Sequence, residues 1–459
     1  MDMSIFREYD IRGIYEQNLT QECVFKIGYL LGKRVLATNE QSVAIGYDAR
    51  THSPILYQWL KDGFIASGVR VYFMGMIPTP VAYFATFEGG IQYGIKSSVM
   101  ITGSHNPPQY NGFKITISQK PFYGAQIQAL GKELATLDIA YCASDVKITE
   151  LNALGNYQKF CIKHFEKLVN FPYEVVLDYG NGVGAIGLEH ILEALNIRHT
   201  SLFATPDGTF PNHHPDPSEE KNLQDIKNHM SAHNIPIGIA FDGDADRVAL
   251  MTPNHNYKGD EMAILFARDI AKSIKNPIVI GEVKCSQIMY DEINKIGQAV
   301  MYKTGHSNLK TKLKELNAHL AAEMSGHLFF NDRYFGYDDA LYAALRALLL
   351  FVDSTPQQIE ATIAGLPRLY ATNEGKIATS EERKFAQIQE LKDKLMRAPK
   401  DFPHIKEIID IDGVRIIFDE GWALVRASNT TPVLVTRFEA TSEEALALYQ
   451  KKVLEMIQP

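Results

Sequence analysis

The chain has 459 residues, with 46 Lys+Arg against 54 Asp+Glu, a net charge of −8, and 46% hydrophobic residues. This composition excludes disordered, collagenous and disulfide-scaffold classes, and the length accommodates three or four domains. The acidic balance argues against a nucleic-acid binder, yet a few cations focused in one cleft can still hold an anionic small molecule.

Apolar runs ending in polar, Gly-rich loops recur in pairs: Val43–Arg50 and Ser97–Pro108, Glu174–Gly182 and Ile237–Arg247, Pro277–Ser286 and Ala318–His327. Short apolar runs bounded by turn residues suit strands buried on both faces, and their alternation with helical stretches predicts α/β sheets. The expected architecture is therefore three similar α/β domains with mixed sheets, spanning 1–150, 151–253 and 254–366, followed by a smaller α+β domain over 367–459. In that last part Gly413–Ser428 reads as two strands around Asp419–Gly421, and Val433–Ala440 as a third. Helices are expected near Glu381–Arg397 and from about Ser442 to Ile457, the second opened by a capping box of Thr441 and Glu444. The apolar stretch Tyr342–Val352 is too short for a bilayer and carries Arg346, so it predicts a buried helix and no membrane span. The opening MDMSIFREYDIRG lacks a signal-peptide pattern. Cys23, Cys142, Cys161 and Cys285 show neither metal nor disulfide spacing, and a cytoplasmic setting is expected.

Chemistry concentrates in four loops. Asp242, Asp244 and Asp246 in DGDADR place carboxylates at alternate positions just after a buried run. They repel each other unless something neutralises them, and oxygen ligands suit Mg²⁺. A calcium loop is rejected, since its glycine and glutamate positions hold Arg247 and Pro253. In TGSHNPPQYNGFK, Ser104 lies between Gly103 and His105 at a strand end, outside any G-x-S-x-G elbow. AAEMSGH offers Glu323, Ser325 and His327 in a row that can hydrogen-bond sugar hydroxyls. RASNTTP supplies Arg426 and several hydroxyls, the mixture that binds phosphate, although a capping-and-turn role fits as well. Gly182–Gly187 matches G-x-G-x-x-G between a strand and a helix, but Asp207 sits in a loop rather than at a strand end, so a tight turn is preferred to a dinucleotide site.

Together with FREYDIRG (Phe6–Gly13) and KTGHSN (Lys303–Asn308), these loops in this order resemble the α-D-phosphohexomutase superfamily, bacterial phosphomannomutase/phosphoglucomutase type, from residue 6 to about 437. The resemblance implies four domains around a central cleft and interconversion of hexose 1- and 6-phosphates of mannose, glucose or both. It implies a phosphoserine at Ser104, a hexose 1,6-bisphosphate intermediate, and one Mg²⁺ held by Ser104, Asp242, Asp244 and Asp246. Arg12, His105, Lys114, Arg247 and His306 would line the reaction centre. Tyr9, Lys284, Glu323, Ser325 and His327 would meet the sugar, and Arg426, Ser428, Asn429 and Thr430 would hold the phosphate that is not reacting. The general base is open among His105, His306 and Lys114. Ala322, Thr431 and Gln109 depart from residues common in the family and bear on sugar preference. Asn429 stands where phosphoglucosamine mutases carry glycine. Phosphoglucosamine mutase, a metal-dependent sugar-phosphate phosphatase and a non-catalytic sugar-phosphate sensor are the rival functions. The expected partners are small hexose phosphates, with no nucleic acid or membrane, and the expected state is a monomer or weak dimer.

Overall fold

The computed structural model describes residues 2–429 and 431–457; Thr430, one of the expected phosphate ligands, lies outside them. Four sheets follow one another along the chain. In the first, Ser42–Tyr47 pairs in parallel with Arg70–Met76 and Ser98–Ile101, and Tyr110–Ile117 returns antiparallel beside Ser98–Ile101. In the second, Ile237–Phe241 is parallel to Val175–Asp178 and antiparallel to Val248–Thr252. In the third, Leu320–Ala322 is parallel to Ile278–Glu282 and antiparallel to Leu328–Phe330. The fourth is antiparallel among its main strands Val414–Ile417, Gly421–Ala427 and Val433–Ala440. The fold is thus three α/β domains with mixed sheets and a C-terminal α+β domain.

The sequence pattern placed helices after the loops of the first three domains and a strand, Val433–Ala440, after the fourth. In the structure all four loops are returns of antiparallel hairpins, so 102–109, 242–247 and 323–327 lead into another strand rather than a helix, and the fourth leads into Val433–Ala440 as expected. Both ends of every loop are therefore tied to a hydrogen-bonded ladder, which restricts the loop more than a strand-to-helix crossover does. The inner strands are fully buried, as expected of strands covered on both faces. Hydrophobic contacts run without a break from Ala44 in the first domain to Ile363 in the third, while the fourth has its own core around Val414, Ile416, Phe438 and Tyr449.

The C-terminal helix spans Glu443–Ile457, and Ser442 Oγ accepts from Ala445 N at 3.2 Å. Ser442 is thus the cap in place of Thr441, one residue earlier; both residue types accept at an N-cap, and the strand runs on to Ala440 before the chain turns. The helix expected around Arg346 is Ala340–Leu350, with Arg346 buried and paired to Asp332 at 2.8 Å. Among the described residues no helix is long and apolar enough to cross a membrane.

Asp339 caps this helix and joins the second and third domains. Its carboxylate accepts from Tyr342 N (2.8 Å), Tyr334 Oη (2.8 Å) and Tyr157 Oη (3.1 Å). Burial pushes its carboxyl up to about 7 from 3.8, against the hydrogen bonds that favour the ion. Folding therefore favours the proton: the stabilisation is present below about pH 4 and is lost as pH rises through 7, roughly 4 kcal/mol for such a shift. The neutral Asp339→Asn variant is expected to flatten the dependence of thermal stability on pH between 4 and 7. An unchanged slope would mean that Asp339 is ionised in the fold.

Candidate active site

The serine loop is built on buried polar contacts. Asp48, following strand Ser42–Tyr47, accepts from Thr102 Oγ1 at 2.9 Å and Gly103 N at 3.2 Å. Arg50 is fully buried and donates to the carbonyls of Ser104, Asn106, Pro107 and Tyr110 at 2.6–2.9 Å. Gly103 passes so close to this guanidinium that a Cβ would sit 2.2 Å from Arg50 Nε. Ser104 is held at φ 49°, a left-handed conformation that costs a non-glycine residue energy. Its hydroxyl is turned to Asp242 Oδ2 at 2.9 Å and lies 3.1 Å from His105 Nδ1.

Residues 104 and 242, far apart in sequence, are therefore hydrogen-bonded neighbours. Asp242, Asp244 and Asp246 are wholly buried, each with a carboxylate oxygen within 4.8 Å of the others. Asp242 accepts from the backbone N–H of Asp246 and Arg247 at 3.0 and 3.1 Å, which curls the loop, and Ala245 takes φ 60° at its apex. Gly182 explains the dinucleotide-like motif: a Cβ there would lie 2.5 Å from Gly243 O, so the space above this turn is filled by the acidic loop.

Lys114 Nζ donates to Asp244 at 2.7 Å and also to Asp246. Burial disfavours this ammonium, but the two carboxylates outweigh burial and raise its pKa. Asp244 is held below the usual carboxylate range despite burial, by Lys114 and by the hydrogen bonds from Lys114 and Thr79. Asp242 is pushed well above that range by burial and by the charges of Asp246 and Asp244. Asp244 Oδ1 remains buried without a hydrogen-bond partner among the described residues. A crowded, all-oxygen, incompletely neutralised cluster fits a hard divalent cation.

Thr79, absent from the sequence expectations, holds this loop from the first domain: its hydroxyl donates to Asp244 Oδ2 and its N–H to Asp244 O at 2.9 Å. Thr79→Val is expected to weaken Mn²⁺ binding about tenfold, the scale of losses on removing an outer-shell partner. Titration followed by electron paramagnetic resonance checks this, and unaltered affinity would show that Lys114 alone orients Asp244.

Behind the trio, Arg247 Nε donates to His327 Nε2 at 2.9 Å, and Arg247 lies 4.0 Å from Asp216. Asp216 is pushed down to about 2: burial opposes the shift, but Arg247 and His105 outweigh it. His306 and His327 flank Asp338, whose other oxygen accepts from Lys310 at 2.9 Å. Burial holds His105 and His306 well below the ordinary imidazole range, with Arg247 and Lys310 adding to it respectively. Glu323 accepts from Gly305 N at 2.6 Å, and Ser325 is half-buried two residues on. Lys284 is paired with Glu374 at 2.8 Å and lies 3.5 Å from Glu282, whose carboxyl burial raises to about 7.

Beyond these groups the domains meet in direct contact. Tyr9 Oη donates to Thr304 O at 2.8 Å and accepts from Asn429 Nδ2 at 2.5 Å, joining the first, third and fourth domains. Ser428 Oγ lies 2.9 Å from Thr431 Oγ1. Arg12 pairs with Asp10, and Arg12 Nη1 and Arg426 Nη2 are buried without an acceptor among the described residues. Unsatisfied guanidinium donors suit an anion.

Sequence reasoning missed Asp48, Arg50, Thr79, Asp216, Asp338 and Asp412, the last of which accepts from Arg426 Nε at 3.0 Å. Asp48 and Arg50 carried a signal, a D-x-R directly after an apolar run, the same position relative to a strand that Asp242 occupies. Thr79 carried none, because its importance comes from a contact 165 positions away.

Comparison with known proteins places this arrangement. Phosphoglucomutase/phosphomannomutase alpha/beta/alpha domains I, II and III match residues 3–138, 152–256 and 258–370, and the C-terminal domain of the same family matches 374–456. The chain is 41% identical over 447 residues to a phosphomannomutase/phosphoglucomutase of Pseudomonas aeruginosa, covering 96% of this chain and 93% of that one. It is 38% identical over 462 residues to a phosphoglucomutase of Neisseria meningitidis serogroup A, covering 99% and 96%. A solved phosphoglucomutase/phosphomannomutase family protein from Burkholderia thailandensis superposes with a TM-score of 0.89 at 36% identity, covering 100% of this chain and 97% of that one. The class so defined is a mutase, an isomerase of the α-D-phosphohexomutase superfamily. Within it, the chain belongs to the phosphoglucomutase/phosphomannomutase family, bacterial type.

Proposed function

We propose that this protein interconverts the 1- and 6-phosphates of glucose and mannose through phospho-Ser104 and a hexose 1,6-bisphosphate. The observation that carries the reading is the hydrogen bond from Ser104 to Asp242 within the buried carboxylate trio. In the first step the phosphoserine P–O bond breaks as a new P–O bond forms to the free hydroxyl of the hexose monophosphate. The hydroxyl proton passes to a base. The bisphosphate then turns over, and its other phosphoryl returns to Ser104.

Phosphoryl transfer depends mainly on positioning and charge neutralisation. Lys114, held as an ammonium by two carboxylates, suits the second task and is the wrong protonation state for a base. His105 and His306, kept neutral by burial, suit proton acceptance. Asp242, Asp244 and Asp246 with the serine oxygen would hold Mg²⁺, which when bound neutralises charge on the phosphoryl group. Arg12 and Arg247 would orient that group. Glu323, Ser325 and His327, with Lys284, would meet the sugar hydroxyls. Arg426, Ser428, Asn429 and Thr430 would grip the second phosphate, with Tyr9 closing the cleft over it. Each step presents a different phosphate to this clamp, so it must recognise phosphate rather than one end of the sugar. The reading also divides the chain near 150, 253 and 367 and places the protein in the cytoplasm as a monomer or weak dimer.

Glu323 and Ser325, read as the ligands of sugar O3 and O4, would not touch C2, where glucose and mannose differ. Both sugar 1-phosphates are therefore expected to be converted, with efficiencies within about a thousandfold of each other, because a hydrogen bond contributes far less than the ~4 kcal/mol such a ratio represents. A coupled assay with Mg²⁺ and a trace of glucose 1,6-bisphosphate, comparing glucose, mannose and glucosamine 1-phosphates, tests this. Release of inorganic phosphate instead of 6-phosphate would replace the mutase by a phosphatase, and preferred turnover of glucosamine 1-phosphate would reassign the sugar.

A further inference from the structure

The phosphate clamp and the sugar-reading loop meet at two consecutive peptide groups. Thr304 N donates to Asp412 Oδ2 at 3.0 Å, and Gly305 N donates to Glu323 Oε1 at 2.6 Å. The same Asp412 oxygen accepts from Arg426 Nε at 3.0 Å. The rest of the Thr304 residue is also engaged: its carbonyl accepts from Tyr9 and its hydroxyl donates to Glu282. Arg426 is 5% exposed, and its Nη2 has no acceptor among the described residues.

We propose that Asp412 is a positioning residue for the clamp: it fixes the Nε edge of Arg426 so that the Nη edge faces the phosphate, and it ties that orientation to the loop that carries sugar recognition. This rests on reading Arg426 as a phosphate ligand. A guanidinium presents its donors in one rigid plane, so holding one edge determines the direction of the other. Without such a partner the side chain would have to be ordered by the ligand at the moment of binding, which weakens affinity. Electrostatics alone would argue for the opposite residue, because a carboxylate near a phosphate dianion repels it. A carboxylate kept there is explained by orientation. Thr304 N–H donates to the same oxygen, which sets the separation between the phosphate ligand in the fourth domain and Glu323 in the third. Tyr9 and Asn429 close the cleft above this point, so Asp412 also makes one of the contacts between its two sides.

Binding measured without turnover separates this from the mutase reading. In Ser104→Ala protein, glucose 1-phosphate and glucose 6-phosphate are titrated calorimetrically, alone and with Asp412→Ala or Asp412→Asn added, and folding is followed by circular dichroism. Asp412→Ala is expected to weaken both ligands about tenfold, while Asp412→Asn, whose amide oxygen can accept from both Arg426 and Thr304, stays within about threefold of the parent. Unchanged affinity in Asp412→Ala would overturn the proposal. So would equal weakening in the Ala and Asn variants, because the negative charge rather than the acceptor would then be what matters. If the parent protein binds neither sugar phosphate, the clamp reading itself fails.

Discussion

Ser104→Ala is expected to lose about 10³-fold or more of its mutase activity in the coupled assay with saturating hexose phosphate and bisphosphate, since a covalent carrier has no substitute in the site. The fold should tolerate the change: among the described residues the hydrogen-bond partners of Ser104 Oγ are Asp242 and the adjacent His105, and the loop is held by Arg50 and Asp48 acting on backbone groups. Loss of activity with an unaltered melting temperature is therefore the expected pair of results. A companion measurement follows transfer of labelled phosphate from bisphosphate to protein, which should occur in the parent and be absent in the variant. Turnover within tenfold of the parent would show that phosphate passes directly between sugars, or through another residue.

Arg50→Leu should act through the architecture. It removes the donors of four loop carbonyls, that of Ser104 buried and the others partly so, and the counter-charge of the buried Asp48. Breaking a buried pair by deleting one partner typically costs about 3–5 kcal/mol, because an uncompensated charge remains. The unsatisfied carbonyls add to the penalty. Urea denaturation is expected to show this loss, and the remaining folded protein should accept phosphate on Ser104 much more slowly, because the left-handed backbone at Ser104 is no longer imposed by its surroundings. A variant that is as stable as the parent and phosphorylated at the same rate would show that the turn is determined by its own sequence.

Much of the fold could be read from the chain because its strands are apolar on both faces and end abruptly in Gly, Asp and Ser. The return strands could not. Tyr110–Ile117 mixes Asn111, Lys114 and Thr116 with apolar residues, so it lacks the uninterrupted run that marks Ser98–Ile101, and its pairing is set by a long-range ladder. The carboxylate trio was conspicuous because three like charges after a buried strand demand a counter-ion. Asp412 and Thr79 were silent for the opposite reason: a lone Asp in a turn and a Thr before a proline are ordinary locally, and only contacts across domains make them matter. The one-residue slip at the last helix has a local cause, since Thr441 and Ser442 are adjacent and equally able to accept from an N–H.

Because all four loops return to their own sheets, the proposed reaction would draw on every domain. A substitution at a seam between domains, such as at Tyr9, can shift one wall by an ångström while every hydrophobic core stays intact. Screens that score heat resistance would pass such variants as healthy, and only turnover would reveal the damage. For this architecture, inherited or engineered defects should be sorted by whether they unfold a module or merely misregister two of them.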